Sequence, residues 1–330
     1  MHGDQAVVDE LTTAATRSTV RGASFDAPRG ERPARRPFWT IARRDSLAGY
    51  LFIAPQLLGV LVFVIVPVGL AIWYSLNDWN IFAGTLDFVG GKNYAAMLQD
   101  PQLPAVLGAT AIFSDGVVVL NIALGLSLAI MLNRRFRGVT LFRTLFFSPV
   151  VVSVVAWTLV WGFLLQNNGG INGLLAQFGV VGPNWLQEGP TAMIAVVVTQ
   201  VIRSVGVNMV LFLSALQGVP SELHEAARID GAGNRAIFTR ITLPLISPTV
   251  LLTAIITIVG ALQAFAQIAV LTEGGPGLST TVLVYYVFQQ AFHFNHIGYG
   301  STLALMLLTF VLLLTVLQWQ LRKKWVFYED

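Results

Sequence analysis

The sequence predicts an all-α, polytopic membrane protein with six membrane-spanning helices, and three observations lead there. The 330 residues are 55% hydrophobic and only 11% charged, with a mean hydropathy of +0.69, whereas a soluble domain carries about 25% charged residues. Six apolar runs, at roughly 48–76, 105–132, 144–166, 191–217, 247–271 and 299–321, reach the roughly 20 residues a helix needs to cross a bilayer. The cations alternate between the connections: Lys and Arg fall almost entirely in 1–47, 133–143, 218–246 and the tail after 321, while the other connections share only Lys92. Positive charge collects on the cytoplasmic side, so both termini are expected there. Runs this long are helices, because lipid offers no partner for an open backbone.

Residues 1–47 hold eight arginines and no helical apolar periodicity. They read as a disordered cytoplasmic tail, or one that touches anionic lipid or a partner subunit. No apolar run follows the first arginines closely enough for a cleavable signal peptide. The membrane domain is then 48–321, with a short cytoplasmic tail over 322–330. Pro55 and Pro67 kink the first span, and Trp73, Tyr74 and Trp79 mark its outer interface. The outer connections 77–104, 167–190 and 272–298 are rich in Gly, Asn and Pro, as turns require. Residues 279–293 read as a short amphipathic helix at the outer surface. No internal repeat supports an inverted-repeat secondary transporter.

The connection 218–246 is polar and Gly-broken between two apolar runs. Pro220-Ser221 starts a helix, with Ser able to cap and Glu222 and Glu225 near its positive end. The helix runs to about Ile229. Asp230-Gly231-Ala232-Gly233-Asn234 then forces a turn, Gly accepting positive φ without steric cost. A second short helix covers about 235–239, and Pro244 and Pro248 shape the entry to the fifth span. Ala226, Ala227 and Ile229 form a small apolar face flanked by Glu225, Arg228 and Asp230, suited to a groove on a partner.

The stretch EAARIDGAGNRAIFTRITLP, residues 225–244, resembles the EAA loop of permease subunits in binding-protein-dependent ABC importers. Glu225, Ala226, Ala227, Gly231, Ile241, Leu243 and Pro244 match the motif position by position. WYSLNDWN, ALQGVPSELHEAARIDGAG, ITLPLISP and LTEGGPG extend the likeness to sugar-type permeases of the maltose and glycerol-phosphate kind, over roughly 48–325. The resemblance implies a type I importer fold and a loop that couples to an ABC ATPase dimer, with Asp230 completing the coupling surface. It also implies a second permease subunit, a hetero-dimer being expected, and an extracytoplasmic solute-binding protein. The site would be a bacterial inner membrane. The chain would import a sugar or related polar solute by alternating access, and ATP and Mg would belong to the partner ATPase, with no cofactor bound by this chain. One departure stands at Phe265-Ala266-Gln267, where such permeases often place an acidic residue after the Phe.

An ionisable residue at membrane depth is a functional hypothesis. Asp115 lies about ten residues into the second span and Arg203 about twelve into the fourth, or about 15 and 18 Å deep. The matching depths lead us to expect that both face the bundle interior and pair; an ion pair without substrate role is the plainer alternative. Gln200, Arg203, Ser204 and Val207 share one helical face. The helix leading into the EAA loop lines the path in the resembling permeases, which makes these residues candidate substrate contacts. Gln263 and Gln267 form a second i, i+4 pair on the fifth span, their amides suited to sugar hydroxyls. Asn121 and Asn208 read as interhelical glue. An Arg203 that reaches the path would suit an anionic solute, a sugar acid or glycerophosphodiester.

Other classes find little footing. The chain contains no cysteine. His293 and His296 make an incomplete metal set, no nucleophile–base constellation appears, and a net charge of +3 does not suggest nucleic acid. A phosphate-binding G-x-x-x-x-G-K is excluded, because Gly91-Lys92 has Leu86 at the required earlier glycine. No catalytic or metal residue is therefore named. A stand-alone ion-coupled transporter and a non-transporting scaffold are the rival readings.

Overall fold

The computed structural model describes residues 41–80, 84–134 and 136–325. The expected disorder of 1–40 and the last residues of the tail lie outside it. The chain divides into two compact units, 1–61 and 62–330. In the first, helix Ile41–Val60 contains Pro55; it starts seven residues before the expected span, so 41–47 are helical. The second is predominantly helical, with, among the described residues, a two-stranded antiparallel pair that the all-α reading did not include. Its strands Asn77–Asn80 and Thr85–Phe88 pair antiparallel, Asp78 opposite Asp87.

Among the described residues four helices are long and apolar enough to cross a membrane: Gly49–Ser75, Leu103–Leu132, Gly189–Gln217 and Ile297–Gln320. Two bent pairs, Val139–Val151 with Val154–Leu164 and Asn234–Leu245 with Ser247–Leu262, bring the number up to six if each is one span. The expected third run is thus not one helix. Ser148–Val151 tightens into a 3₁₀ turn with Pro149 in its first turn, Val152 is extended, and the halves meet at 102°. Proline removes a backbone donor and clashes with the preceding turn, and here the helix yields.

Helices Leu103–Leu132 and Gly189–Gln217 form the centre of the second unit, and Ser247–Leu262 packs across them. Small residues set the distances, as is usual for membrane helices. A Cβ on Gly125 would meet Asn208 Cβ at 3.2 Å, and one on Gly206 would lie 2.0 Å from Phe146 O. The backbone of Gly189–Gln217 therefore rests directly on the proline elbow. Ala129, Leu132, Met209, Phe212, Leu213, Leu216 and Ile246 close the end of the bundle where the 218–246 connection begins.

The fifth run is also interrupted. Helix Ser247–Leu262 ends at Gln263, and a short helix resumes over Ala266–Leu271. Phe265, at the break, packs against Tyr285 and Phe288 with ring centroids 5.9 and 4.9 Å apart. Aromatic pairs of this geometry contribute about 0.5–1.5 kcal/mol each beyond the area they bury. The outer helix expected over 279–293 is found as Leu283–Phe288 with a π turn Gln289–His293, and its Leu283, Tyr285 and Tyr286 are buried.

Candidate functional site: a coupling loop and a polar seam

The 218–246 connection is two short helices around one glycine. Helix Ser221–Ile229 has Glu222 in its first turn and Arg228 in its last, each at the favourable end of the helix dipole. Its N-cap is Pro220 and no side chain caps it, so Ser221 does not play the capping role expected of it. The far end closes with paired hydrogen bonds, Ala232 N to Ala227 O at 2.9 Å and Gly231 N to Arg228 O at 3.0 Å. This is a Schellman closure, and it requires the left-handed φ of +80° at Gly231. Helix Asn234–Ile237 and a π turn Phe238–Thr242 follow. His224 Nε2 lies 3.1 Å from Thr242 Oγ1, tying the first helix to the buried base of the second. Neither residue was singled out from sequence, because a contact across 18 residues leaves no local pattern.

Glu225, Ala226, Asp230 and Gly231 are exposed and Ala227 half-buried. Ile229 is 87% exposed, and Leu223, six residues earlier, is exposed as well. Ile241, Leu243 and Pro244 are half-buried, and Leu243 packs on the cluster around Ile246. The motif thus has an outward half and an inward half. The outward half offers Leu223, Ala226 and Ile229 rimmed by charge; the inward half is built into the base of helix Ser247–Leu262.

Within the bundle a polar seam joins five helical segments. Gln267 Nε2 donates to Gln200 Oε1 at 2.5 Å, both residues buried. Ser204 Oγ donates to Asn121 Oδ1 at 3.1 Å and to Gln200 O at 2.8 Å. Asn208 Nδ2 donates to Thr257 Oγ1 at 3.0 Å and to Asn121 Oδ1 at 3.3 Å. Trp157 Nε1 donates to Thr199 O at 3.1 Å. Asn121 and Asn208 hold helices together as their amides suggested, and Ser204 joins them in that work.

The other expected contacts are arranged differently. Gln263 is exposed at the end of its helix while Gln267 is buried beyond the break, so the two do not form an i, i+4 pair. Val207 is half-buried. Asp115 is exposed on helix Leu103–Leu132, and among the described residues no ion pair joins it to Arg203. Matching depth had suggested pairing, but depth does not fix the direction in which a helical residue points. Arg203 is half-buried, and its Nε is shielded from solvent with no hydrogen-bond partner.

A second cluster went unread in the sequence. Asp100 Oδ2 accepts hydrogen bonds from Tyr286 OH at 2.6 Å and Tyr299 OH at 2.5 Å, and its Oδ1 accepts from Gln102 N at 2.8 Å. Partial burial pushes the carboxyl up, but these hydrogen bonds, with one from the Leu103 amide, together hold it below its ordinary value of 3.8. Burial, then the Asp100 carboxylate, push the Tyr286 hydroxyl well above the usual range. The cluster clamps the start of helix Leu103–Leu132 to the outer helix and to Ile297–Trp325. Among the described residues no group of three or more His, Cys, Asp or Glu could hold a metal.

Comparison with known proteins places this architecture. The family described as "Binding-protein-dependent transport system inner membrane component" matches residues 121–326. The trehalose/maltose transport system permease protein MalF of Thermococcus litoralis is 36% identical over 273 residues, covering 82% of this chain and 92% of the relative. The sn-glycerol-3-phosphate transport system permease protein UgpA of Yersinia enterocolitica is 34% identical over 284 residues, covering 85% and 95%. A chain in the crystal structure of a bacterial alginate ABC transporter, in complex with an alginate pentasaccharide-bound periplasmic protein, superposes with a TM-score of 0.75 at 19% identity, covering 88% of this chain and 98% of that one. The chain belongs to the binding-protein-dependent transport system inner membrane component family, and it is a permease subunit of an ABC importer rather than an enzyme.

Proposed function

We propose that this permease imports a sugar or related polar solute across a bacterial inner membrane, with six spans and both termini cytoplasmic. Relatives named for trehalose/maltose and for glycerol 3-phosphate support that solute range. An extracytoplasmic binding protein delivers the solute to a pair of permease subunits, and an ABC ATPase dimer takes ATP and Mg. ATP closes the ATPase dimer, the loop at 221–240 moves with it, and the cavity opens outward; hydrolysis resets it inward. The two bent pairs are read as the third and fifth spans. The observation that carries the proposal is the loop itself: a helix that exposes Glu225 and Ala226, closed at Gly231 and anchored through His224 and Thr242 to the base of helix Ser247–Leu262.

Gln200, Ser204 and Gln267 are the proposed polar lining of the path, with Arg203 and Val207 beside them on the same helix. Arg203, whose Nε is shielded and without a hydrogen-bond partner, supports a second cargo reading, an anionic solute such as a sugar acid or a glycerophosphodiester, because a cation beside the path attracts a carboxylate or phosphate. Native mass spectrometry of the gently solubilised complex tests both. Two permeases, two ATPases and a binding protein with a sugar-sized ligand are expected, and the ligand's mass and charge separate neutral from anionic cargo. Recovery of this chain alone from several mild detergents would contradict the importer assembly.

A further inference from the structure

The connection between helix Leu103–Leu132 and the proline elbow gathers cations without counter-ions. Residues 133–147 hold Arg134, Arg135, Arg137 and Arg143 and no Asp or Glu. Arg134 and Arg137 are exposed, and among the described residues neither side chain has a hydrogen bond or an ion pair. Arg143 has a different part. Its Nη2 donates to Leu132 O at 2.7 Å, which fastens the elbow helix Val139–Phe147 to the last carbonyls of the preceding span.

The same stretch exposes large apolar side chains. Phe136 and Phe142 stand with ring centroids 6.1 Å apart and are 43% and 46% exposed, and Leu141 and Leu145 are more exposed still. Val139–Val151 is also the first half of a candidate bent span. Arginines beside exposed aromatic and leucine side chains suit the membrane interface, with apolar groups at the acyl boundary and guanidinium groups at the phosphate level. We propose that Arg134 and Arg137 hold the phosphate of an anionic phospholipid of the inner leaflet, whose acyl chains lie against Phe136, Leu141 and Phe142. The inference rests on the cytoplasmic placement of 133–143 in the reading above. A guanidinium meets a phosphate with paired, charge-assisted hydrogen bonds. An acidic soluble partner would answer the arginines and leave the apolar side chains beside them unmatched. The lipid has a mechanical consequence. Phe146 O lies where a Cβ on Gly206 would fall, so a lipid seated on the elbow buttresses the helix that carries Gln200 and Ser204, and transport depends on anionic lipid through this site.

The test uses the full complex in mild detergent, titrated with phosphatidylglycerol or phosphatidylcholine and read by native mass spectrometry. Wild type is expected to retain phosphatidylglycerol in preference to phosphatidylcholine, and inorganic phosphate should not displace it. Arg134→Gln with Arg137→Gln should lower that retention at least about tenfold at unchanged assembly, and the paired Lys replacements should keep part of it. In phosphatidylcholine vesicles with rising phosphatidylglycerol, wild-type uptake should rise and uptake by the double Gln variant should stay flat. Equal retention of phosphatidylglycerol by wild type and the double Gln variant, or parallel uptake curves, would overturn the lipid site. Loss of ATPase subunits by that variant at unchanged lipid retention would give this face to a protein partner instead and overturn it too. The chain has no native cysteine, so Thr140→Cys reports the side of the membrane separately. Labelling by an impermeant maleimide only after cells are permeabilised supports the inner leaflet. Labelling in intact cells removes the topology beneath the proposal, whatever the lipid titration shows.

Discussion

Gln267 donates its side-chain amide to the carbonyl of Gln200 across 67 residues of sequence, inside the bundle and next to a break in the helix that carries Gln267. The bond joins the helix entering the cytoplasmic loop to the segment that follows the helix leaving it. The pair therefore links the helices on both sides of the loop. A buried amide that loses its partner is left with unmet hydrogen-bonding groups, a cost that favours the two glutamines moving together.

Removing either partner should show that coupling. Interhelical hydrogen bonds in membranes average about 0.6 kcal/mol and reach about 1.7. Gln200→Leu and Gln267→Leu are each expected to lower the thermal midpoint of the purified complex, and the double variant by less than their sum. A double-mutant cycle in melting measurements checks this, and solute KM measured on the same variants reports contact with the path.

Gly231 should tolerate no side chain. At φ +80° an L-residue is strained by about 1–2 kcal/mol, although nothing within 4 Å would obstruct a Cβ. Gly231→Ala is therefore expected to weaken the helix closure without disturbing membrane insertion. Solute uptake per ATP hydrolysed should fall, while Gly233→Ala, at an ordinary extended φ of −73°, should have a much smaller effect.

The proline elbow should be sensitive at its neighbour rather than at itself alone. Gly206→Ala places a methyl where Phe146 O now lies, at 2.0 Å, so the elbow must shift. Overpacking of this sort costs about 1–3 kcal/mol. The expected outcome is a lower yield of folded permease, read by detergent size-exclusion, with Gly173→Ala as an unobstructed control.

The Asp100 clamp gives a pH signature. Its folded pKa lies below the ordinary 3.8, so its contribution is present above that value and is lost as pH falls through the lower folded pKa. The thermal midpoint should therefore drop on acidification below about pH 4. Asp100→Asn should flatten that part of the profile, and Tyr286→Phe should reduce it.

Much of this was legible in the sequence, for identifiable reasons. Four apolar runs emerge as unbroken helices because length and apolarity alone define them. The helix over 221–229 and the turn at Gly231 were readable because flanking proline and glycine act locally. The breaks were harder. Pro149 stood in view inside an otherwise uniform apolar run, but a membrane helix can absorb a proline or fold at it, and the close approach at Gly206 helps decide. The interruption at 263–265 depends on Phe265 meeting Tyr285 and Phe288, which no local pattern contains. Asp115 had the right depth for Arg203 and the wrong azimuth, since a run apolar on all sides does not reveal which side faces inward. The Asp100 clamp unites residues nearly 200 positions apart and leaves no trace in spacing.

The central claim is that the loop converts ATP hydrolysis into movement of the membrane helices. It is tested most directly by the number of solute molecules imported per ATP in proteoliposomes holding the whole complex and its binding protein, for wild type and Glu225→Lys at equal permease content. Coupling through the loop predicts that Glu225→Lys inserts normally and loses most uptake per ATP. Wild-type stoichiometry in Glu225→Lys, and in Gly231→Asp beside it, would contradict the account.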